Sequence, residues 1–309
     1  EYSHVAGGLG RVGQFHVNAM HGLMKDRAQV VVIEPMYAFR LDAQGRQYPL
    51  DYQSVAAPLH GLKLYDTFTV KVSGREVGAQ VFEAQEESGI PHYLIRHKSN
   101  PGADYYTRLL YRYEPQHGGS SLEEFTEFFS RASLKLIEKV EGEKRTRLGA
   151  EYLEPVILSN DAQASLPIFL RAAESEIDDS PLPAAFPWHV THTFLNRRNY
   201  SLVDGTRILR GWQLPPGYDG YFHRGELIDL TSGSIRSAWR ASGVSAVHVE
   251  RIRSMDPEQK IYAITNGDNL ERSGRSFRTI LNGLRADADQ PSPDDVRQAK
   301  RAAKAALRD

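Results

Sequence analysis

Four short places in this chain carry residue types that bind and orient a ligand. The first is "AGGLGRV", where Gly7, Gly8 and Gly10 stand directly ahead of a helical pattern. Glycine loses more backbone entropy on folding than other residues and offers no side chain to pack. A cluster before a helix therefore marks a tight turn, or a backbone that must come close to something. The chemistry on offer is anion binding, because unpaired N–H groups and the helix dipole meet at that point. The other three places are polar corners that each follow a short apolar run: Asn160-Asp161, His192-Thr193 and Asn266-Gly267. Asn160 can hydrogen-bond a ligand but cannot titrate, whereas His192 can do both.

The histidine spacing does not make a metal pair. His189 and His192 are three apart, which on a strand points them to opposite faces. His16 and His21 are five apart on a helix and are not cofacial either. No metal is expected on the chain. There are no cysteines, which excludes disulfides, thiolate nucleophiles and thiolate metal sites.

These places need elements to position them. Residues 11–25 read as a helix, and "VVVIEPMY" as a strand buried on both faces and stopped by Pro35. The alternation around Ser73-Gly74 predicts a hairpin, and "IPHYLIRH" a further strand. Residues 105–119 read as an aromatic loop that includes Tyr105 and Tyr106. The clearest helix covers 121–139: Ser121 with Glu124 forms a capping box, and Phe125, Phe128, Phe129, Ala132, Leu134 and Ile137 make an inward stripe. "EPVILSND" and "FPWHVTHTF" read as strands, with a helix between them bent at Pro167. Residues 196–225 read as irregular, 226–239 as helical, "KIYAITNGDN" (260–269) as a strand running into a turn, and 293–308 as a basic, Ala-rich helix. In open α/β sheets the ligand lies at the C-terminal ends of the strands. The three corners and the glycine loop thus outline one cleft.

Composition narrows the partners. The chain has 309 residues, 40% of them apolar, so a sizeable core can form. Lys plus Arg number 38 and Asp plus Glu 39, a balance that gives no global attraction to nucleic acid or to an acidic membrane. The basic run "KRAAKAALR" reads as a solvated helix face. No run approaches the roughly 20 apolar residues of a membrane span, no signal peptide is visible, and the expected compartment is the cytoplasm. A glycine loop of this kind normally follows a strand. The chain starts at Glu1 almost on top of the loop, so native residues are expected ahead of it.

Taken together, these segments resemble the N-terminal domain of the starch and glycogen synthases, retaining glycosyltransferases built of two facing Rossmann-like domains. "AGGLGRVGQFHVNAM" resembles the family's Lys-x-Gly-Gly-Leu-Gly-Asp-Val loop and its helix. "GIPHYLI" and "FFSRASLKLIE" resemble its aromatic strand and the helix after it. "VILSNDAQASLPIFL" falls at its His-Asp-Trp-His, "HVTHTF" at its Thr-Ile-His-Asn, and "AITNGDN" at its Asn-Gly-Ile-Asp turn. The order and spacing agree over residues 1 to about 270. The glycine loop is also similar to that of the glucan phosphorylases.

The resemblance implies an α/β fold, a Rossmann-like doubly wound and mostly parallel sheet with an inserted hairpin region, the N-terminal half of a GT-B fold. It implies a domain over 1–285, with 286–309 as a linker helix toward a C-terminal domain not in this sequence. It implies transfer of a hexose, glucose by analogy, from ADP-glucose or UDP-glucose to an α-glucan or oligosaccharide. It implies no cofactor on this chain. Asn160, Asp161 and His192 would stand beside the reacting sugar. Gly7, Gly8, Arg11, Gln163, Asn266 and Gly267 would contact the donor, and Tyr105 and Tyr106 the acceptor. The departures are definite. Val5 stands where the family has its Lys, Arg11 where it has Asp, Asn160 and Gln163 where it has its two His, and Ala162 where it has Trp.

Each position also has a plainer role. The glycines can form only a turn, Arg11 can be a surface residue, Asp161 can cap a helix, His192 can be structural, and the tyrosines can pack a loop. Three readings follow: a transferase half, a non-catalytic domain that binds glucan or a protein, and a phosphorylase-like enzyme using pyridoxal phosphate, whose cofactor lysine would lie outside this chain.

Overall fold

The structure, a computed structural model, describes residues 17–24, 28–41, 44–50, 52, 59–98, 104–108, 118–161, 165–176, 185–192, 199–215, 217–257 and 260–264. Helix α1 covers residues 17–24. Strand β1 (Val32–Pro35) follows and pairs in parallel with β6 (Pro91–His97). β1 is half-buried rather than buried on both faces, and it includes Pro35 instead of ending before it. Proline is tolerated there because it is the last residue of the strand. A small ribbon, β2 (Phe39–Leu41) with β3 (Gln47–Pro49), lies between β1 and the long hairpin in sequence.

The hairpin is the expected one. β4 (Leu59–Val72) and β5 (Arg75–Glu86) turn at Ser73 and Gly74, whose φ values are 49° and 75°. Two consecutive positive φ values match the right-handed twist of the flanking strands. β5 then pairs with β6 to complete a sheet of order β1-β6-β5-β4.

Helix α2 (Leu122–Leu148) crosses from this sheet to the next. Its capping box is formed: Ser121 Oγ accepts from Glu124 N–H at 3.2 Å, and Glu124 Oε2 accepts from Ser121 N–H at 2.9 Å. The predicted stripe is buried but divides. Phe125, Phe128, Phe129 and Ala132 enter one cluster with Val72, Val81 and Ile95, while Leu134 and Ile137 enter a second with Ile157, Ile168 and Trp212.

The second sheet is wholly parallel, in the order β13-β12-β8-β7. Its strands are β7 (Val156–Asn160), β8 (Phe186–Thr191), β12 (Arg240–Gly243) and β13 (Ile261–Ala263). Between them run α3 (Leu166–Glu176), α4 (Leu202–Gly211), α5 (Leu230–Ser237) and α6 (Ala246–Met255). Such strand–helix alternation gives right-handed crossovers and a doubly wound layer.

Two local expectations are corrected. Pro167 lies in the first turn of α3, where a missing N–H is not felt, so it starts the helix rather than bending it. The stretch 196–225 is not irregular throughout. It holds β9 (Asn199–Ser201) and α4, and it leads into a three-stranded sheet with β10 (His223–Arg224) and β11 (Leu227–Asp229). The helical reading of 226–239 likewise splits into β11 and α5. The helix expected at 293–308 lies outside the described residues.

Candidate functional site at the strand ends

β7 and β8 run side by side with Asn160 opposite Val190. Just past them the chain makes a compact corner. Asp161 takes a left-handed φ of 61°, and its N–H reaches the Val190 carbonyl at 2.7 Å. Its Oδ1 accepts the His192 backbone N–H at 3.0 Å. Above this link, His192 Nε2 and Asn160 Oδ1 meet at 3.1 Å. With Oδ1 as the acceptor, Nε2 carries the proton. Asp161 is buried, while Asn160 and His192 are half-buried and reach the surface together.

Beneath the corner, Ser159 Oγ and His189 Nδ1 meet at 2.9 Å, both residues fully buried. His189 therefore serves the core face and His192 the strand-end face, the alternation a strand imposes. The next strand adds a residue the sequence reading passed over. Ser245 caps α6 and accepts His248 N–H at 3.1 Å, which sets His248 in the first turn beside the end of β12. Burial, then the nearby His192, hold the His248 imidazole below its ordinary value; Arg251 acts the same way and Asp161 opposes them. The legible signal was Ser245 three residues ahead, a cap that fixes where the helix starts.

Of the predicted site residues, the structure brings Asn160, Asp161 and His192 together. Tyr105 and Tyr106 make their described contacts elsewhere, on α2 and His97. Tyr105 donates to Glu124 Oε2 at 2.8 Å, and Tyr106 stacks on Phe128 with centroids 4.8 Å apart. Burial first, and then Glu124, push both phenols up to about 12, so each stays protonated at neutral pH. Gly7, Gly8, Arg11, Gln163, Asn266 and Gly267 lie outside the described residues. A groove of about 250 Å³ between β1 and the last turns of α2, lined by Val31, Glu143, Lys144 and Arg147, shares no residue with the corner.

Chemically, the corner offers an amide, an imidazole and a buried carboxylate that holds the His192 backbone. That set donates and accepts hydrogen bonds to neutral hydroxyls.

The sequence matches no family model and no curated protein. Among solved structures, the chain is similar to the catalytic domain of Starch Synthase IV from Arabidopsis thaliana, bound to ADP and acarbose. The TM-score is 0.59 at 15% identity, over 93% of this chain and 57% of that one. The likeness is one of fold: the chain has the Rossmann-like α/β arrangement found in that GT-B structure. The parallel sheet with its crossover helices is the Rossmann-like part of that fold, and the chain spans little more than half of the structure it matches. No helix among the described residues is long and apolar enough to cross a membrane.

Proposed function

We propose that this chain is the acceptor-side half of a retaining glycosyltransferase of the starch and glycogen synthase type. It would move a hexose, glucose in the simplest case, from ADP-glucose or UDP-glucose to an α-glucan or oligosaccharide. The observation that carries the reading is the Asn160–His192 pair, set by Asp161 at the C-terminal ends of two parallel strands. Ligands bind at that edge in sheets of this kind. The likeness in fold to a starch synthase solved with ADP and acarbose supports the same substrate class.

In this reading Asn160 and His192 hold hydroxyls of the transferred sugar, and Asp161 fixes the His192 backbone. Gly7, Gly8 and Arg11 would approach the donor, with Gln163, Asn266 and Gly267 completing that side. Tyr105 and Tyr106 would border the acceptor. Residues 286–309 would lead to a second domain carrying most of the diphosphate contacts. The work asked of this half is positioning, which alone can supply a large part of a barrier reduction.

One observation favours a second reading, a glucan-binding domain without turnover. The corner holds Asn160, which cannot titrate, where the synthases carry His.

Isothermal titration separates the two. The chain and the full gene product are each titrated with ADP-glucose, UDP-glucose and maltoheptaose. Maltoheptaose binding by the chain, with nucleotide-sugar binding by the full product, is the expected result. Maltoheptaose binding with no nucleotide response in either moves the assignment to a binding domain. No response to any of the three overturns both readings.

A further inference from the structure

We propose that His248 is a positioning residue for the Asn160–His192 pair, its ring lodged over Gly243 so that the His192 imidazole is held against Asn160. The inference rests on the reading of that pair as a sugar-hydroxyl site.

The placement follows from the register. β12 lies beside β8 in parallel, with Gly243 opposite Thr191, and the residue after Thr191 is His192. The chain leaves β12 through Ser245 and enters α6, whose cap puts His248 in its first turn. The ring then folds back onto the strand end. A Cβ built on Gly243 would come within 2.8 Å of His248 Cδ2 and equally close to Val249 Cγ2. Real Cβ atoms essentially never make such contacts, so glycine at 243 is what leaves room for the imidazole.

The surroundings of the ring suit a positioning role. His248 is 5% exposed. Among the described residues, the charged or titratable groups acting on it include Asp161 past β7, His192 past β8, and Arg251 on α6 itself. Burial and the His192 neighbour both favour its neutral form. At neutral pH it therefore adds bulk and a hydrogen-bonding edge beside His192 without adding a positive charge. A charged residue here would repel a protonated His192, and a small one would leave His192 room to turn away from Asn160.

The test observes the His192 ring directly. Long-range proton–nitrogen NMR of the histidine rings is recorded against pH for the whole chain, for His248→Ala, His248→Gln and Gly243→Ala. Maltoheptaose titrations are run on the same samples. In the unaltered chain, neutral His192 is expected as the Nε2–H tautomer. In His248→Ala and Gly243→Ala that preference weakens, the His192 midpoint moves by about half a pH unit, and maltoheptaose affinity falls by about three- to tenfold. His248→Gln, neutral and polar, restores part of both. An unchanged tautomer and midpoint for His192 in the folded variants overturns the proposal. Failure of all three variants to fold also overturns it, because His248 is then only a core residue. A His192 ring that responds to these substitutions in a chain that binds no maltoheptaose sustains the positioning role and rejects the sugar-site reading instead.

Discussion

Asp161 shows how one side chain can set a site without forming its surface. Its left-handed φ of 61° brings its N–H to Val190 and its carboxylate to the His192 N–H. Asparagine tolerates that backbone conformation and keeps an acceptor, whereas alanine does neither. Asp161→Ala is expected to lower stability by about 1–3 kcal/mol, and Asp161→Asn by clearly less, measured by urea unfolding. His248 gives a pH dependence of its own. Its folded value is depressed, so above the ordinary imidazole value of 6.5 both states are neutral and nothing is lost. As pH falls below that value the unfolded chain takes the proton first, and stability declines until the folded value is passed. A urea-midpoint profile from pH 8 to about 5 should show this acid-side loss, and His248→Gln should flatten it. The sequence marked Asn160, Asp161 and His192 because polar residues end apolar runs there. It did not mark their mutual bonds, which depend on strand register. His248 stayed hidden because a histidine inside an apolar helix turn looks like any other until the neighbouring strand is known.

The elements divide by how local their signals are. Helix α2 was legible from its stripe and its cap, and the cap can be tested alone. Ser121→Ala removes half of the box and should cost about 1 kcal/mol, read as a shift of the urea midpoint with no change in slope. The Ser73-Gly74 hairpin was legible from its turn residues. Helix α4 was not, although Ser201 accepts from Asp204 N–H at 3.1 Å in the same capping manner. Its interior glycine, Gly205, reads as a breaker in sequence, but the structure needs it. A Cβ there would stand 2.3 Å from Ile228, so the glycine is what lets α4 lie on β11. Gly233 plays the same part in α5, where a Cβ would meet the Phe222 ring at 2.3 Å. Gly233→Ala should therefore destabilise by about 1–3 kcal/mol, the range for overpacking a closed core, despite alanine's better helix propensity.

At the scale of the whole molecule, α2 joins two apolar clusters, and the sheets on either side depend on it. Phe128 is fully buried, stacks on Tyr106 and meets the edge of His97 with centroids 5.8 Å apart. Phe128→Ala should cost about 3–5 kcal/mol and loosen Tyr106, visible as faster exchange of the amides around residues 104–108. The doubly wound plan was legible from strand–helix alternation. The division into one mixed and one parallel sheet was not, because pairing partners far apart in sequence leave no periodic mark.

The tip of the long hairpin is tied across the molecule in a way that gives the protein a built-in optical gauge. Ser73 N–H and Oγ both reach the buried Glu127 carboxylate, Glu127 pairs with Arg131 at 3.1 Å, and Arg131 donates to the carbonyl of Trp212. Trp212 is 2% exposed, whereas Trp239 stands in solvent at 49%. Trp188 is half-buried, so Trp212 is the most buried of the three tryptophans and is expected to emit at the shortest wavelength. Lifting the hairpin tip away from α2 would release the two side chains that lead to the Trp212 carbonyl, and a red shift of that emission is the expected readout.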